Sequence, residues 1–214
     1  MSLVKVYYTR IDAPLSLPVF ETYVRRLPAD QQVKNSRLRR WEDRHAHLYT
    51  RLQLMEGLAF WGLGDAGLDR MQYDGHGRPF MAGAVDFNFS HTGGYALCAI
   101  GRNVRIGVDI ERCSRVDLDD YRSTMSDAQW ADIVAAPEPL STFFSYWARK
   151  EAVVKADGRA MGIPLATVSF DGGAGWIEGV RWPLYDLDID PVCPAWLSCD
   201  REDVTVSIER YRHR

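Results

Sequence analysis

The chain of 214 residues has no run of about 18 apolar residues, so it offers no candidate membrane span. Its first ten residues, Met1 to Arg10, lack a long apolar core, which argues against a secretory signal peptide. Cysteine is sparse. Cys98, Cys113, Cys193 and Cys199 are scattered, make no CxxC pair and no zinc spacing, and read as reduced thiols of a cytoplasmic protein. Charge of one sign is not in excess. A net charge of -3 gives no reason to expect non-specific nucleic-acid binding. There is no Gly-x-x-x-x-Gly-Lys-Ser/Thr loop for a nucleoside triphosphate and no Gly-x-Ser-x-Gly nucleophile elbow. Ser90 and His91 are neighbours on a strand, so they point to opposite faces and make a poor nucleophile–base pair. His45 and His47 are two apart on a helix pattern and do not face one metal.

What is present is the balance of a soluble globular protein, 46% hydrophobic and 26% charged. The length allows one large domain or two small ones with a sizeable core. Val4, Val6 and Tyr8 alternate with Lys5, Tyr7 and Thr9, the pattern of a strand. A short helix to about Leu27 follows Pro14 and Pro18. A longer helical pattern runs from about Ala29 to Leu63, with Lys34, Arg37, Arg39, Arg40, Arg44 and Arg51 on it and Leu48, Leu52 and Met55 as an apolar stripe. Its basic side fits either a solvated face or the seat of a phosphate. Tyr73 to Phe80 reads as a turn with accessible backbone. The stretch from Phe87 to Tyr95 leads from one strand into the next.

Two stretches carry most of the chemistry. In Val104–Glu111, Val104, Ile106, Val108 and Ile110 share one strand face, and Arg105, Gly107, Asp109 and Glu111 share the other. Asp109 and Glu111 then stand roughly 7 Å apart along the strand. They fit the wet face of an antiparallel strand or two oxygen ligands of a hard cation. Gly107 beside them leaves room for a ligand to approach. In Trp147–Ala156, Trp147, Glu151 and Lys155 recur every four residues and share a helix face, while Lys150 points about 100° away from Glu151. That face fits a surface helix with an ion pair, or a site that holds a metal with its acid and a phosphate with its bases. This helix is expected from about Leu140 to Asp157, stopping at Gly158, with a preceding one capped by Ser126. Strands are expected at Val168–Phe170, Trp176–Val180, Trp196–Cys199 and Val204–Ile208. The order strand, helix, strands occurs twice and suggests two similar lobes dividing near residues 104 to 112, although no sequence repeat is evident.

Phe87-Asn88-Phe89-Ser90-His91-Thr92-Gly93, Gly107-Val108-Asp109-Ile110-Glu111 and Trp147-Ala148-Arg149-Lys150-Glu151-Ala152-Val153-Val154-Lys155-Ala156, in this order and spacing, resemble the larger, surfactin-synthetase-type phosphopantetheinyl transferases. Gly77-Arg78-Pro79-Phe80 is similar to that family's Gly-Lys-Pro-aromatic segment. The resemblance implies an α+β fold, a pseudo-twofold pair of similar lobes with the active site in the cleft between them. Residues 1–105 would be the coenzyme A-binding lobe, and residues 106–214 would carry the metal and the catalytic helix. It implies transfer of the 4′-phosphopantetheine arm of coenzyme A to a serine of an apo acyl or peptidyl carrier protein, with release of 3′,5′-ADP.

By match, Asp109, Glu111 and Glu151 would hold Mg²⁺, with Mn²⁺ as a substitute, and Glu151 and Lys155 would be catalytic. Lys150 and Lys155 would meet the pyrophosphate and acceptor side. His91, with Ser90 beside it, would contact phosphate. Lys34, Arg37 and Arg44 would serve coenzyme A, and Gly77, Arg78 and Pro79 would lie near its adenine. Two departures stand out: Arg78 replaces the usual lysine, and Gln129 stands where some members carry a glutamate. The smaller, trimeric synthases have chains about half this long, so a monomer is expected. The carrier surface is expected to be apolar and near the lobe boundary. A non-catalytic coenzyme A-binding module would leave the three carboxylates idle. A Mg²⁺-dependent phosphohydrolase would put water in place of the serine.

Overall fold

A computed structural model describes residues 2–159 and 162–212, apart from the side chains of Asp65 and Ala66. The alternating N-terminal pattern forms β1 (Ser2–Arg10), with Val4 and Val6 fully buried. α1 (Leu17–Val24) starts with a proline in its first turn, where the missing N–H costs nothing. The basic stretch expected as one helix is two, α2 (Ala29–Arg37) and α3 (Trp41–Phe60), broken where Leu38 and Arg40 are extended. No glycine or proline marks the break. The buried Asn35 amide donates to the Arg44 carbonyl at 2.7 Å, which folds α2 back against α3.

A two-stranded hairpin follows, β2 (Gln72–Tyr73) and β3 (Pro79–Phe80). Its loop is held by the Asp74 carboxylate, which accepts from the His76 and Arg78 amides, each at 2.9 Å. Then come β4 (Val85–Thr92), β5 (Tyr95–Arg102) and β6 (Ile106–Ile110). α4 (Asp127–Ala135) carries a capping box in which Ser126 and Gln129 satisfy each other's backbone N–H. α5 (Pro139–Asp157) ends as expected at Gly158, which takes the left-handed conformation at φ 92°. The stretch expected as one strand near Trp176–Val180 is a hairpin. β8 (Ala174–Ile177) turns through Glu178 and Gly179, both at positive φ, into β9 (Val180–Asp186). β7 (Ser169–Asp171), β10 (Ala195–Cys199) and β11 (Val204–Arg210) complete the strands. Among the described residues no helix is long and apolar enough to cross a membrane.

The fold is α+β, with a layer of helix on each of two sheets. The first sheet has the order β11-β1-β5-β4 and the second β6-β10-β9-β8-β7. β11 returns from the end of the chain to pair parallel with β1. α3 packs on the first sheet and α5 on the second. The sheets meet where β6, an edge strand with all five residues buried, lies beside β4. A buried edge must satisfy its free backbone groups. Here side chains do it, every second residue, at a constant offset of twenty. The N–H groups of Ile106, Val108, Ile110 and Arg112 donate to Asp86 Oδ2 (2.7 Å), Asn88 Oδ1 (3.0 Å), Ser90 Oγ (3.3 Å) and Thr92 Oγ1 (3.1 Å). The carbonyls on the same edge accept from two cations, Ile106 from Arg78 (2.9 Å) and Val108 from Lys155 (3.3 Å).

Gly107 decides how close α5 comes to β6. A Cβ there would lie 2.0 Å from the Ala152 carbonyl oxygen and 2.3 Å from the Ala156 nitrogen. The room at Gly107 is therefore taken by the helix backbone, not left for a ligand as the sequence suggested.

Candidate functional site

Close contact between α5 and β6 brings the two chemistry-bearing stretches together. A cavity of about 590 Å³ opens between the β2–β3 loop, β4 and α5. Gly77, Arg78 and Pro79 line one side, and Trp147, Glu151 and Lys155 line the other. The shared helix face read from the four-residue spacing is thus the face turned to the cavity. Asn88, Phe89, Ile163 and Leu165 complete much of an otherwise apolar wall.

Asp109 of β6 and Glu111, the residue after its end, stand beside this face. Asp109 is buried; its Oδ1 accepts from Lys155 Nζ at 2.6 Å and from Ser90 Oγ at 2.8 Å. Its Oδ2 is buried with no partner. Burial and then Asp109 push the Glu111 carboxyl up to about 7, with Glu151 adding to the rise and Lys155 and Trp147 opposing it. Burial also raises Glu151, against the pull of Lys155 and with the push of Asp109. Three carboxylates therefore feel one another's charge with a single ammonium among them, an arrangement that gains from another cation. As the side chains stand, no group of three His, Cys, Asp or Glu among the described residues is drawn together tightly enough to hold an ion. The donor set fits a hard cation in kind: all oxygens, one of them an orphaned buried atom.

The other expected residues are placed as follows. Lys155 bridges Asp109, Ser90 Oγ (3.4 Å) and the Val108 carbonyl. Ser90 is buried under Asp109, which it holds. His91 is on the opposite, exposed side of β4. The protein crowding around it holds its pKa below the ordinary value; Asp43 opposes this, and Lys155 and Arg51 add to it. Lys150 does not reach the cavity. Its side chain is fully buried and its ammonium donates to the carbonyls of Leu165 (2.6 Å) and Val168 (3.1 Å), while Gln129 donates to Val168 as well (2.9 Å). Burial, then the charge of Arg149, push the Lys150 pKa down to about 7. Gln129 is thus an N-terminal capping residue and a backbone brace.

Lys34, Arg37 and Arg44 lie on α2 and α3, and none of the three lines the cavity. Lys34 donates to the Tyr73 hydroxyl at 3.1 Å and sits 4.6 Å from its ring centre. Arg44 stacks 4.9 Å from the Phe20 ring centre.

Asp86, Asn88 and Phe89 take structural roles in the site that the sequence does not single out, and Arg51 stood there only as one base of the helical pattern. Arg51 is buried, stacks 4.6 Å from the centre of the Phe89 ring and donates to Gln31 at 3.2 Å. It stands two turns after Arg44, a spacing that was visible. The alternation Asp86, Asn88, Ser90, Thr92 was also visible, but it resembles the wet face of a strand.

Residues 105–190 match a family model described as the 4′-phosphopantetheinyl transferase superfamily. The chain is similar to a 4′-phosphopantetheinyl transferase of Bacillus subtilis, 28% identical over 170 residues, or 77% of this chain and 75% of that protein. It is similar to 4′-phosphopantetheinyl transferase Sfp of Bacillus subtilis (strain 168), 26% identical with the same shares covered. It is also similar to 4′-phosphopantetheinyl transferase gsp of Aneurinibacillus migulanus, 34% identical over 98 residues, 45% of this chain and 41% of that one.

Proposed function

We propose that the chain, on its match to the 4′-phosphopantetheinyl transferase superfamily over residues 105–190 and its similarity to the transferases above, transfers the phosphopantetheine arm of coenzyme A to a serine hydroxyl of an apo acyl or peptidyl carrier protein. The serine oxygen forms a bond to the phosphorus that carries the arm. The bond from that phosphorus to the bridging oxygen breaks, 3′,5′-ADP leaves, and the serine proton passes to a base. One observation carries the reading: Glu151 and Lys155 of α5 face the cavity beside Asp109 of β6 and Glu111 just after it.

Asp109, Glu111 and Glu151 are the residues we assign to Mg²⁺, with Mn²⁺ as the other suitable hard cation. When bound, the ion would supply positive charge for the pyrophosphate oxygens. Lys155 adds a second positive charge at the same place, 2.6 Å from Asp109 Oδ1. Glu151, its affinity for protons raised by burial, is the group placed to receive the serine proton. The apolar wall of Phe89, Ile163 and Leu165 excludes water from the attacking position. Residues 1–105 form the coenzyme A lobe, to whose sheet β11 is added, and the rest of residues 106–214 forms the metal and helix lobe, joined at the β4–β6 seam. Lys34, Arg37 and Arg44 offer cations for the outlying phosphate, His91, its pKa lowered, offers a neutral ring N–H to a phosphate oxygen, and the protein acts as a monomer.

Incubation with coenzyme A, Mg²⁺ and a panel of apo carrier proteins tests this. Mass spectrometry is expected to find the arm on a carrier serine and 3′,5′-ADP in solution. Free phosphopantetheine with unmodified carriers would mean hydrolysis, and tight binding without product would mean a binding module.

A further inference from the structure

Three consecutive carbonyls end α5, those of Lys155, Ala156 and Asp157, and the last turn of a helix cannot satisfy them from within. Two arginines from outside the helix do so. Arg105, just before β6, donates from Nε to Ala156 (2.8 Å) and from Nη2 to Asp157 (3.3 Å). Arg78, from the β2–β3 loop, donates from Nη1 to the Lys155 carbonyl. Its Nη2 donates to Asp86 Oδ2 at 2.6 Å and to the Ile106 carbonyl at 2.9 Å. Asp86 Oδ2 in turn accepts from the Ile106 amide. One side chain thus touches the helix end, the edge of β6 and the polar alternation of β4. The Arg78 side chain is 5% exposed and its Nε is buried without a partner, so although the residue lines the cavity its guanidinium is bonded into the seam.

We infer that Arg78 is a positioning residue, the pin that fixes α5 against the β4–β6 seam, and not a contact to the nucleotide. The inference rests on the proposed function. The same backbone unit that accepts from Arg78 belongs to Lys155, whose ammonium reaches Asp109. A shift of the helix end therefore moves Lys155 directly, and Glu151 one turn earlier. The planar fork explains why arginine stands here where the resemblance implies lysine: three acceptors on three elements need spread donors at fixed angles, and an ammonium at the end of a flexible stem does not span them. Asp86 is part of the same device, because it receives both Arg78 and the first amide of the seam.

The test compares wild type, Arg78→Lys, Asp86→Asn and the double variant, with three readouts. Arg78→Lys is expected to lower kcat about 10- to 100-fold while KM for coenzyme A changes little, since a misplaced catalytic group costs turnover more than binding. Affinity for 3′,5′-ADP, measured by calorimetry, stays within about twofold. Amide hydrogen exchange at Gly158 and along Ile106–Ile110 speeds up about tenfold or more, the range for losing a charge-assisted bond. Asp86→Asn moves the same readouts the same way, and the double variant is no worse than the worse single one. Weakened 3′,5′-ADP binding with kcat and exchange unchanged would overturn the inference, because it would make Arg78 a nucleotide contact. The exchange readout needs no turnover. A wild type inert toward every carrier would sink the proposed function, while the exchange result would still judge the pin.

Discussion

Adding one methyl group at Gly107 probes the close approach of α5 to β6. In Gly107→Ala the new carbon would sit 2.0 Å from the Ala152 oxygen and 2.3 Å from the Ala156 nitrogen, both backbone atoms of α5. Neither can rotate away as a side-chain tip would. To restore van der Waals separation the helix must retreat from β6 by more than about 1 Å. Overpacking of this kind costs about 1–3 kcal/mol. The same retreat pulls Lys155 from Asp109, now 2.6 Å apart, and Glu151 with it. A misplacement of about 1 Å is worth a loss of roughly 100-fold in turnover. Urea denaturation gives the stability change, and arm transfer to a carrier gives kcat. Gly75→Ala is the control: nothing lies within 4 Å of a Cβ there, so stability should stay within about 0.5 kcal/mol. Full activity and unchanged stability in Gly107→Ala would refute the claim that the strand–helix distance sets the site.

Lys150→Met should destabilise by about 1–3 kcal/mol in urea, because the Leu165 and Val168 carbonyls both lose a charged donor and keep only the Val168 amide and Gln129. Its KM for coenzyme A should rise, since Ile163 and Leu165 wall the cavity; a variant with wild-type stability would remove the brace. His47 is held neutral by burial, with Arg51 and Lys34 pushing the same way, its pKa pushed down to about 3. The unfolded chain then binds the extra proton first. Stability from this group is complete above the ordinary histidine pKa of about 6.5 and declines toward pH 3, by up to about 1.4 kcal/mol per pH unit. His47→Gln should flatten that part of a thermal-melt profile against pH, and an unchanged slope would contradict the assignment.

Much of the site could be read from the sequence because it depends on local spacing. The four-residue repeat of Trp147, Glu151 and Lys155 marked the face that lines the cavity, whereas Lys150, expected at the pyrophosphate with Lys155, is buried against the Leu165 and Val168 carbonyls. Gly158 and Ser126 marked helix ends by chemistry that acts within a few residues. What could not be read depends on partners far along the chain. Asp86, Asn88, Ser90 and Thr92 look like residues meant for water, yet they serve backbone amides twenty positions away. The break after Arg37 comes from a tertiary bond of Asn35, not from a helix breaker. Gly107 signalled close approach correctly, but its surroundings decided what approached.

The account is tested most directly by the transfer rate of Glu151→Ala and of Asp109→Ala, each with its thermal melt. Both variants should keep a cooperative melt, lowered in Asp109→Ala by the loss of the buried partner of Lys155 and Ser90, and show no arm on the carrier serine. Near-normal turnover in either one would contradict the assignment of these acids to the reaction.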